Sequence, residues 1–304
     1  MTRASSFFGG RSVKRTAATL IIGMLPLAVR AQANDPQALY QLGRDAITRG
    51  EPDEAAEYFE KAVALKPKNA DYRYRLATAY GLGAMQAGMF GAISRAKKLK
   101  VELERAVQLD PDLIPARFAL VEFHVAAPGM LGGSESAALE QATEIRKRDG
   151  IDGHRAFARI HTAAKKPDLA RKEYADMVKE QPASARAHYF FGVYLMLTEK
   201  NYKAAGEELE SAVRLDPSYM PAYFQIGHVA ALAGNNFARG DETLKKYLAY
   251  LPKDEEPSIA RAYYWLGGIY EKQGRTAEAK SNYAASLKIN PNQKDVDAAM
   301  KRVS

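Results

Sequence analysis

Apolar residues at helical spacing define a repeating unit that is clearest near the C-terminal end of the chain. In residues 263–291 the apolar positions are Tyr263, Leu266, Tyr270, Ala279 and Tyr283. Steps of three and four residues place side chains on one face of an α-helix. The segment Gly274-Arg275-Thr276 interrupts this spacing with a turn residue and a helix-capping candidate. The pattern predicts two amphipathic helices joined by a tight turn and closed by Pro291.

The same pattern returns along most of the chain, with small residues where two helices have to approach each other. We place seven units at residues 36–69, 70–113, 114–150, 151–184, 185–219, 220–254 and 260–293, and a polar final helix at residues 295–304. Gly267 and Ala279 are small, whereas Leu266 and Tyr283 are large enough to fill a core. Each unit is therefore predicted to be a helical hairpin.

This pattern resembles the tetratricopeptide repeat, a 34-residue helix-turn-helix unit. The residues that match it are, in order, Tyr263, Leu266-Gly267, Tyr270, Ala279, Tyr283 and Pro291. The resemblance covers residues 36–303. It implies an all-α, right-handed solenoid of about seven hairpins with a C-terminal capping helix. It also implies a non-enzymatic scaffold that binds a protein or a peptide.

Two units have long turns between their helices. Residues 81–98 contain ten more residues than the regular spacing requires, and residues 127–134 account for five more in the next unit. The apolar side chains in these insertions are Met85, Met89, Phe90, Met130 and Leu131. Methionine-rich surfaces adapt to different partners. We therefore expect one binding feature on one edge of the stack, or else segments that fold back on their own hairpins.

The N-terminal residues 1–33 have the features of a secretory signal peptide. The basic residues Arg3, Arg11, Lys14 and Arg15 precede an apolar run at residues 16–29, and Ala31-Gln32-Ala33 provides small residues for cleavage. The apolar run is shorter than the roughly 20 residues that cross a bilayer comfortably. We predict cleavage after Ala33 and an exported, periplasmic or secreted, protein; an uncleaved anchor is the alternative.

Removal of this peptide changes the interpretation of charge. The whole chain carries 44 basic and 36 acidic residues, but residues 1–33 hold five of the basic ones and no acidic ones, which leaves a net charge of +3. The alkaline isoelectric point therefore does not indicate nucleic-acid binding. The chain has no cysteine, which excludes disulfides, cysteine nucleophiles and thiolate zinc sites.

No residue pattern predicts a catalytic, metal or cofactor site. His124, His154, His161 and His188 occupy positions where other units place packing residues, so we interpret them as core or interface histidines rather than metal ligands. The Gly132-Gly133-Ser134 segment suits a flexible turn and a serine cap; anion binding is the alternative. No nucleophile is accompanied by a base and an orienting group, so we predict no enzymatic activity and no cofactor.

One position in each unit, directly after its first bulky residue, is aromatic in six of the seven units. These positions are Tyr40, Tyr74, Phe118, Arg155, Tyr189, Phe224 and Tyr264. In the family that this chain resembles, the first helices line the concave face, which implies that these side chains point into a groove. The alternative is that the rings pack against the next unit.

One helical turn further on, the same face carries Arg44, Arg159 and His228, which complete the predicted partner-binding face. The family's clamp for C-terminal carboxylates uses lysine and asparagine at these offsets, and this chain has neither pattern. The resemblance therefore disfavours binding of chaperone tails. The partner, the oligomeric state and two other functions stay open: a groove for a small molecule or glycan, and a structural spacer in an envelope complex.

The N-terminal pattern leads to a direct test by mass spectrometry. The mature protein recovered from its native compartment should begin at Asn34, because a signal peptidase cleaves after small residues such as Ala33. A soluble cytoplasmic form that retains residues 1–33 would contradict export.

Overall fold

The computed structural model describes residues 35–253 and 256–304, so the proposed signal peptide lies outside the described residues. The described part forms fifteen α-helices, one short 3₁₀ turn and no strand. Hairpins 1 to 7 consist of α1 (Pro36–Arg49) and α2 (Pro52–Leu65), α3 (Ala70–Gln86) and α4 (Met89–Leu109), α5 (Ile114–Ala126) and α6 (Glu135–Arg148), α7 (Gly150–Ala163) and α8 (Pro167–Glu180), α9 (Ala185–Leu197) and α10 (Tyr202–Leu215), α11 (Met220–Ala233) and α12 (Phe237–Leu248), and α13 (Ile259–Lys272) and α14 (Thr276–Ile289). The last helix is α15 (Lys294–Arg302). The predicted all-α solenoid is confirmed.

Several helices begin at residues that satisfy a free N–H group of the first turn or that need no partner for it. Asn69 accepts a hydrogen bond from the Tyr72 N–H at 3.0 Å, and Ser184 caps α9 in the same way. Proline occupies the first turn of α1 and of α2, where no N–H partner is needed. The local sequence therefore determines where these helices start.

Within hairpins, glycines on the first helix let a bulky side chain of the second helix lie against the backbone. A Cβ atom added to Gly267 would lie 2.6 Å from the Tyr283 ring, and one added to Gly43 would lie 2.6 Å from the Phe59 ring. At Gly227 the same addition would place Cβ 2.3 Å from Leu244. These distances are far below van der Waals contact, so the helix spacing of these hairpins depends on the missing methyl group.

In hairpin 3 the larger residue of the pair lies on the first helix and the smaller one on the second helix. Val121 occupies the glycine position of α5, and the opposite position of α6 holds Ala142 instead of an aromatic or a leucine. Both residues are fully buried in one cluster. The summed volume between the two helices is what the fold conserves, as expected for a close-packed interior.

The core is a series of small clusters shared by consecutive hairpins rather than one central core. The cluster of hairpins 1 and 2 contains Phe59 and Tyr72, and that of hairpins 6 and 7 contains Tyr247 and Tyr283. In α15, Val296 and Ala299 complete the last cluster while the polar face of the helix is exposed. Each hairpin depends on its neighbours, which is the property of a solenoid.

None of the helices in the described ranges is both long enough and apolar enough to cross a bilayer.

The added residues of hairpin 2 are helical and do not form a long turn. The helices α3 and α4 contain 17 and 21 residues, whereas α1 and α2 contain 14 each. Only Ala87 and Gly88 connect them. The insertion therefore extends both helices beyond the neighbouring hairpins. The added residues of hairpin 3 form the 3₁₀ turn at Gly129–Leu131.

The first and last hairpins of the stack touch each other. The Asn292 side-chain amide donates to the Arg49 carbonyl at 3.1 Å, across 243 positions of the sequence. The contact surrounds Gly50, which has a φ of +76° and would carry a Cβ only 2.7 Å from the Asn290 side chain. The stack therefore curves far enough to bring its two ends together around the concave face.

The neighbouring glycines of α13 allow a matched test of helix spacing. Gly267→Ala should cost about 1–3 kcal/mol of unfolding free energy, because the added methyl group overlaps the Tyr283 ring. Gly268→Ala should stabilise the protein by roughly 0.5–1 kcal/mol, because its Cβ would lie 3.9 Å from the Tyr283 hydroxyl and alanine favours the helix. Urea denaturation measures the unfolding free energy of each variant. If both substitutions changed that free energy equally and in the same direction, the proposed packing of Gly267 against Tyr283 would be contradicted.

Candidate partner-binding groove

The middle of the concave face forms a groove with a volume of about 580 Å³. It extends across the first helices of hairpins 3, 4 and 5, and the residues before α13 border it on one side. The side chains that define it are Phe118, Arg155, Arg186, Tyr189, Phe190 and Tyr219. The structure thus brings together Phe118, Arg155 and Tyr189 of the predicted partner-binding face, with the edge of a fourth predicted residue, Tyr74, at the border of the groove.

Arg155 is the centre of this groove. Its guanidinium lies 3.6 Å from the ring centroid of Phe190 and 4.8 Å from that of Phe118. Arginine over an aromatic face gains cation–π attraction. Because Arg155 also donates to the Asp152 carboxylate, the plane of the guanidinium is fixed between the two rings.

A second arginine completes the charge pairing. Arg186 donates to Asp149 at 2.6 Å and also to Asp152, whose side chain is buried. Burial by itself acts to raise the pKa of Asp149, but hydrogen bonds from the Asp152 N–H and from Arg186 hold that pKa below its ordinary value. Two arginines and two carboxylates are therefore paired with one another at one end of the groove.

Tyrosine rings form the opposite wall. The Tyr189 ring meets the Tyr219 ring edge to face, with centroids 5.3 Å apart. It meets the Phe190 ring in the same way, with centroids 5.0 Å apart. Burial raises the pKa of Tyr189 and of Tyr219 above the ordinary value, so both hydroxyls remain protonated at neutral pH. The groove offers aromatic surface together with neutral hydroxyl groups.

A second aromatic surface lies on hairpins 6 and 7. His228 stacks on Trp265 with centroids 3.9 Å apart, and Arg261 lies 4.2 Å from the centroid of Tyr264. Burial, with a smaller effect of Arg261, lowers the pKa of His228 to about 3. Sequence reasoning found His228 and Tyr264 but missed Trp265, the single tryptophan, which directly follows the position that it selected.

Three predicted groove residues are core residues instead. Phe224 is 4% exposed and meets Tyr247 edge to face at 5.3 Å. Tyr40 is buried between Phe59 and Tyr72, and Tyr74 is buried except for the edge that borders the groove. At these positions the groove prediction is wrong and the alternative holds, because rings of the same or the next hairpin cover Tyr40 and Phe224, and aliphatic side chains such as Leu103 and Leu120 cover Tyr74.

The two predicted arginines one turn further on lie in different surroundings. Arg159 donates two hydrogen bonds to Glu122 of the preceding hairpin, at 2.7 and 2.9 Å. Arg44 lies 5.9 Å from the Tyr40 ring centroid and borders a separate space of about 530 Å³ between the two ends of the stack. The predicted face is thus divided between the central groove and its flanks.

The insertion residues do not form one feature. Met85, Met89 and Phe90 are exposed at the end of hairpin 2. On the turn of hairpin 3, Met130 is exposed and Leu131 is partly buried. That turn contacts α4 near Lys100. Lys100 is eleven residues beyond Met89, about 16 Å along the helix.

The four histidines that invited a metal interpretation lie beside carboxylates or backbone carbonyls; His161 Nε2, for example, is 3.9 Å from a Glu173 carboxylate oxygen. His124 Nδ1 lies 3.1 Å from the Gly132 carbonyl, and His188 Nδ1 lies 2.6 Å from Glu208. His154 lies between Glu173 and Glu180. Across residues 35–253 and 256–304, no group of three or more histidine and acidic side chains has the geometry to hold a metal ion.

The Gly132-Gly133-Ser134 segment ends in a helix cap. Ser134 accepts a hydrogen bond from the Ala137 N–H at 3.3 Å at the start of α6. Gly133 is required by close approach, because a Cβ at this position would lie 1.8 Å from the Ala127 carbonyl oxygen. The turn interpretation accounts for all three residues.

Comparisons with known proteins agree with this architecture. Models of the tetratricopeptide repeat match residues 36–69, 155–219 and 260–293. No curated protein sequence matches the chain significantly.

Solved structures also resemble the chain. The human IFIT1 dimer with PPP-AAAA is 20% identical with a TM-score of 0.52, and a monomeric IFIT1 mutant with Gppp-AAAA is 19% identical with a TM-score of 0.54. Both matches cover 88% of this chain and 62% of the IFIT1 chain. A tetratricopeptide repeat protein from Parabacteroides merdae is 14% identical, with 90% of this chain and 99% of that chain covered and a TM-score of 0.48. The likeness to IFIT1 concerns the fold alone.

The buried imidazole of His228 predicts a pH dependence of stability. Its pKa of about 3 in the folded protein lies below the ordinary value of 6.5, so below pH 6.5 the unfolded chain binds the proton first. The contribution of neutral His228 to stability is complete above pH 6.5 and is lost as the pH falls toward 3. Denaturation between pH 7.5 and 4 should show a shallower decline for His228→Phe, which keeps a ring against Trp265 and does not titrate. If the unfolding free energies of the wild type and of His228→Phe fell in parallel with pH, His228 would not be the cause of the pH dependence.

Proposed function

We propose that this tetratricopeptide-repeat chain is a non-enzymatic scaffold whose central groove binds an extended segment of a protein partner. The matched repeats support this proposal, because such repeats generally serve as protein-interaction scaffolds. The groove lies on the concave side of the stack, where several hairpins contribute side chains to one surface.

The observation that carries the proposal is the fixed position of Arg155 between Phe118 and Phe190. Arginine and aromatic residues contribute most to binding energy in protein interfaces. Since Asp152 and Arg186 already hold this arrangement, a ligand would not have to order it. A side chain of the partner that lies flat on the exposed ring surface would therefore gain affinity at small entropic cost.

The charges of the groove favour a partner of mixed polarity. Arg155 and Arg186 face Asp149 and Asp152, and Arg159 is paired with Glu122. Because each cation has a carboxylate beside it, the groove presents no excess of positive charge. We infer that aromatic and aliphatic side chains of the partner provide most of the contact.

A small molecule or glycan is the second candidate ligand. The stacked pair of His228 and Trp265 provides a flat surface next to Arg261, and the volume of the central groove falls within the range of small-ligand sites. A structural spacer in an envelope complex would need neither surface.

We propose an exported, periplasmic or secreted, location for this function. The proposal rests on the basic, apolar and small-residue segments of residues 1–33, in the order that secretion signals show.

A groove variant tests the proposed function directly. The double substitution Phe118→Ala and Phe190→Ala removes both rings beside Arg155 and should reduce partner binding roughly thirtyfold or more, the effect of losing about 2 kcal/mol. Wild-type and variant protein would be immobilised and exposed to the envelope fraction of the source cells. Captured proteins and glycans would be quantified by mass spectrometry.

Tyr58→Ala is the matched control, because it removes a partly exposed ring from α2, outside the groove. Material that is lost with the groove variant and retained with the control supports the groove. Glycan captured in place of protein would favour the second candidate. Capture that is equal for all three proteins would exclude a binding role of the groove.

A further inference from the structure

The two ends of the stack meet at one small contact. On one side is the turn of hairpin 1, Arg49-Gly50, and on the other is the segment 290–292 that follows α14. The Asn292 side-chain amide donates to the carbonyls of Arg49 and Gly50, at 3.1 and 3.4 Å. We call these two segments, residues 49–50 and 290–292, the clasp.

Each side of the clasp is held in shape by its own hairpin. The Gly50 N–H donates to the Ile47 carbonyl at 3.0 Å and ends α1. On the other side, Asn290 Oδ1 accepts a hydrogen bond from the Asn292 N–H at 2.9 Å, and Gln293 donates to the Asn290 carbonyl at 2.8 Å. None of these bonds crosses between the ends. Both sides are therefore ordered before they meet, which lowers the entropic cost of the contact.

The clasp is also the weakest junction between hairpins. Consecutive hairpins share buried apolar side chains, but no apolar cluster within residues 35–253 and 256–304 combines hairpin 1 with hairpin 7. A space of about 530 Å³ lies between these ends instead, bordered by Thr48 on one side and Ile289 on the other. The ends are thus joined mainly by hydrogen bonds of exposed groups, and water competes for such groups.

We propose that the clasp closes the solenoid into a ring of hairpins and opens reversibly in the free protein. Each hairpin packs only against its neighbours, so small rotations shared among the hairpins separate the ends without breaking a cluster. Opening widens the concave face that carries the central groove. The clasp is a property of the fold itself and does not depend on the proposed function or on the ligand of the groove.

An engineered disulfide tests closure. The chain has no cysteine, and a Cβ atom on Gly50 would lie 3.2 Å from the Asn292 Cβ, close to the roughly 3.5–4.5 Å found across disulfides. Gly50→Cys combined with Asn292→Cys should form an intramolecular disulfide under mild oxidation. The matched control combines Asn292→Cys with Gly234→Cys. Gly234 also ends a first helix, with a φ of +71° against +76° at Gly50, so the backbone strain is the same, and this pair should stay reduced.

Single-molecule energy transfer tests opening. Two fluorophores would be attached to the full chain at Glu57→Cys on α2 and Lys288→Cys on α14, which are exposed and lie outside the clasp. Most molecules should show one high transfer efficiency, and a minor population a lower one. Asn292→Ala removes both hydrogen bonds of the clasp and should raise the ratio of open to closed molecules roughly tenfold.

A steric variant opens the clasp from the other side. Asparagine tolerates a positive φ, so Gly50→Asn keeps the turn but places a Cβ atom 2.7 Å from Asn290 Oδ1. Asn290 cannot rotate away without losing its bond to the Asn292 N–H. Open molecules should therefore become the majority. Gly274→Asn is the matched control, because Gly274 has a φ of +72° and an added Cβ would meet no atom within 4 Å; its populations should equal those of the unsubstituted labelled protein.

Three results would overturn the proposal. If the cysteines at positions 50 and 292 cross-linked no faster than the control pair, the ends would not meet in solution. Disulfide-linked dimers at low protein concentration would show that the end of one chain meets the end of another. A single transfer efficiency that neither Asn292→Ala nor Gly50→Asn changes would show that the stack does not open at the clasp. Circular dichroism of every variant checks that the helices are retained.

Discussion

The structure depends on the distance between the two helices of each hairpin. In hairpins 1, 6 and 7 that distance is set by a glycine on the first helix and a large side chain on the second, such as Gly267 and Tyr283. Since a single methyl group would not fit, the pair fixes both the separation and the axial register of the helices. The outer surfaces of the hairpins are then regular enough for consecutive hairpins to stack.

Repetition of this unit produces a curved stack with a concave surface that no single hairpin contains. The contact of Asn292 with the Arg49 carbonyl shows how far the curvature extends. It also gives each terminal hairpin a second neighbour in addition to the hairpin next to it in sequence. The central groove lies inside this curvature, so its width depends on all seven hairpins.

Ion pairs between hairpins specify how neighbouring hairpins align. Arg159 reaches Glu122, Arg239 reaches Glu210, and Arg261 reaches Asp295 of the capping helix. Exposed pairs of this kind contribute little stability individually. Arg239 meets both carboxylate oxygens of Glu210 through two nitrogens, a fork geometry that accepts only one alignment. In the groove, Arg186 of hairpin 5 reaches Asp149 and Asp152 of hairpin 4 in the same way, so the candidate binding surface is also a well-ordered part of the fold.

The sequence by itself determined the helical hairpins, the positions of the small residues and the two places where the spacing lengthens, because these depend on contacts within about 35 residues. It did not determine which rings are exposed. Tyr189 and Phe224 occupy the same position of consecutive units, yet Tyr189 borders the groove while Phe224 is covered by Tyr247. Only the tertiary structure decided this, since burial depends on how far each hairpin is rotated against the next. The placement of Trp265 against His228 and the meeting of the two ends have the same origin, as small rotations accumulate over seven hairpins without a local signal in the chain.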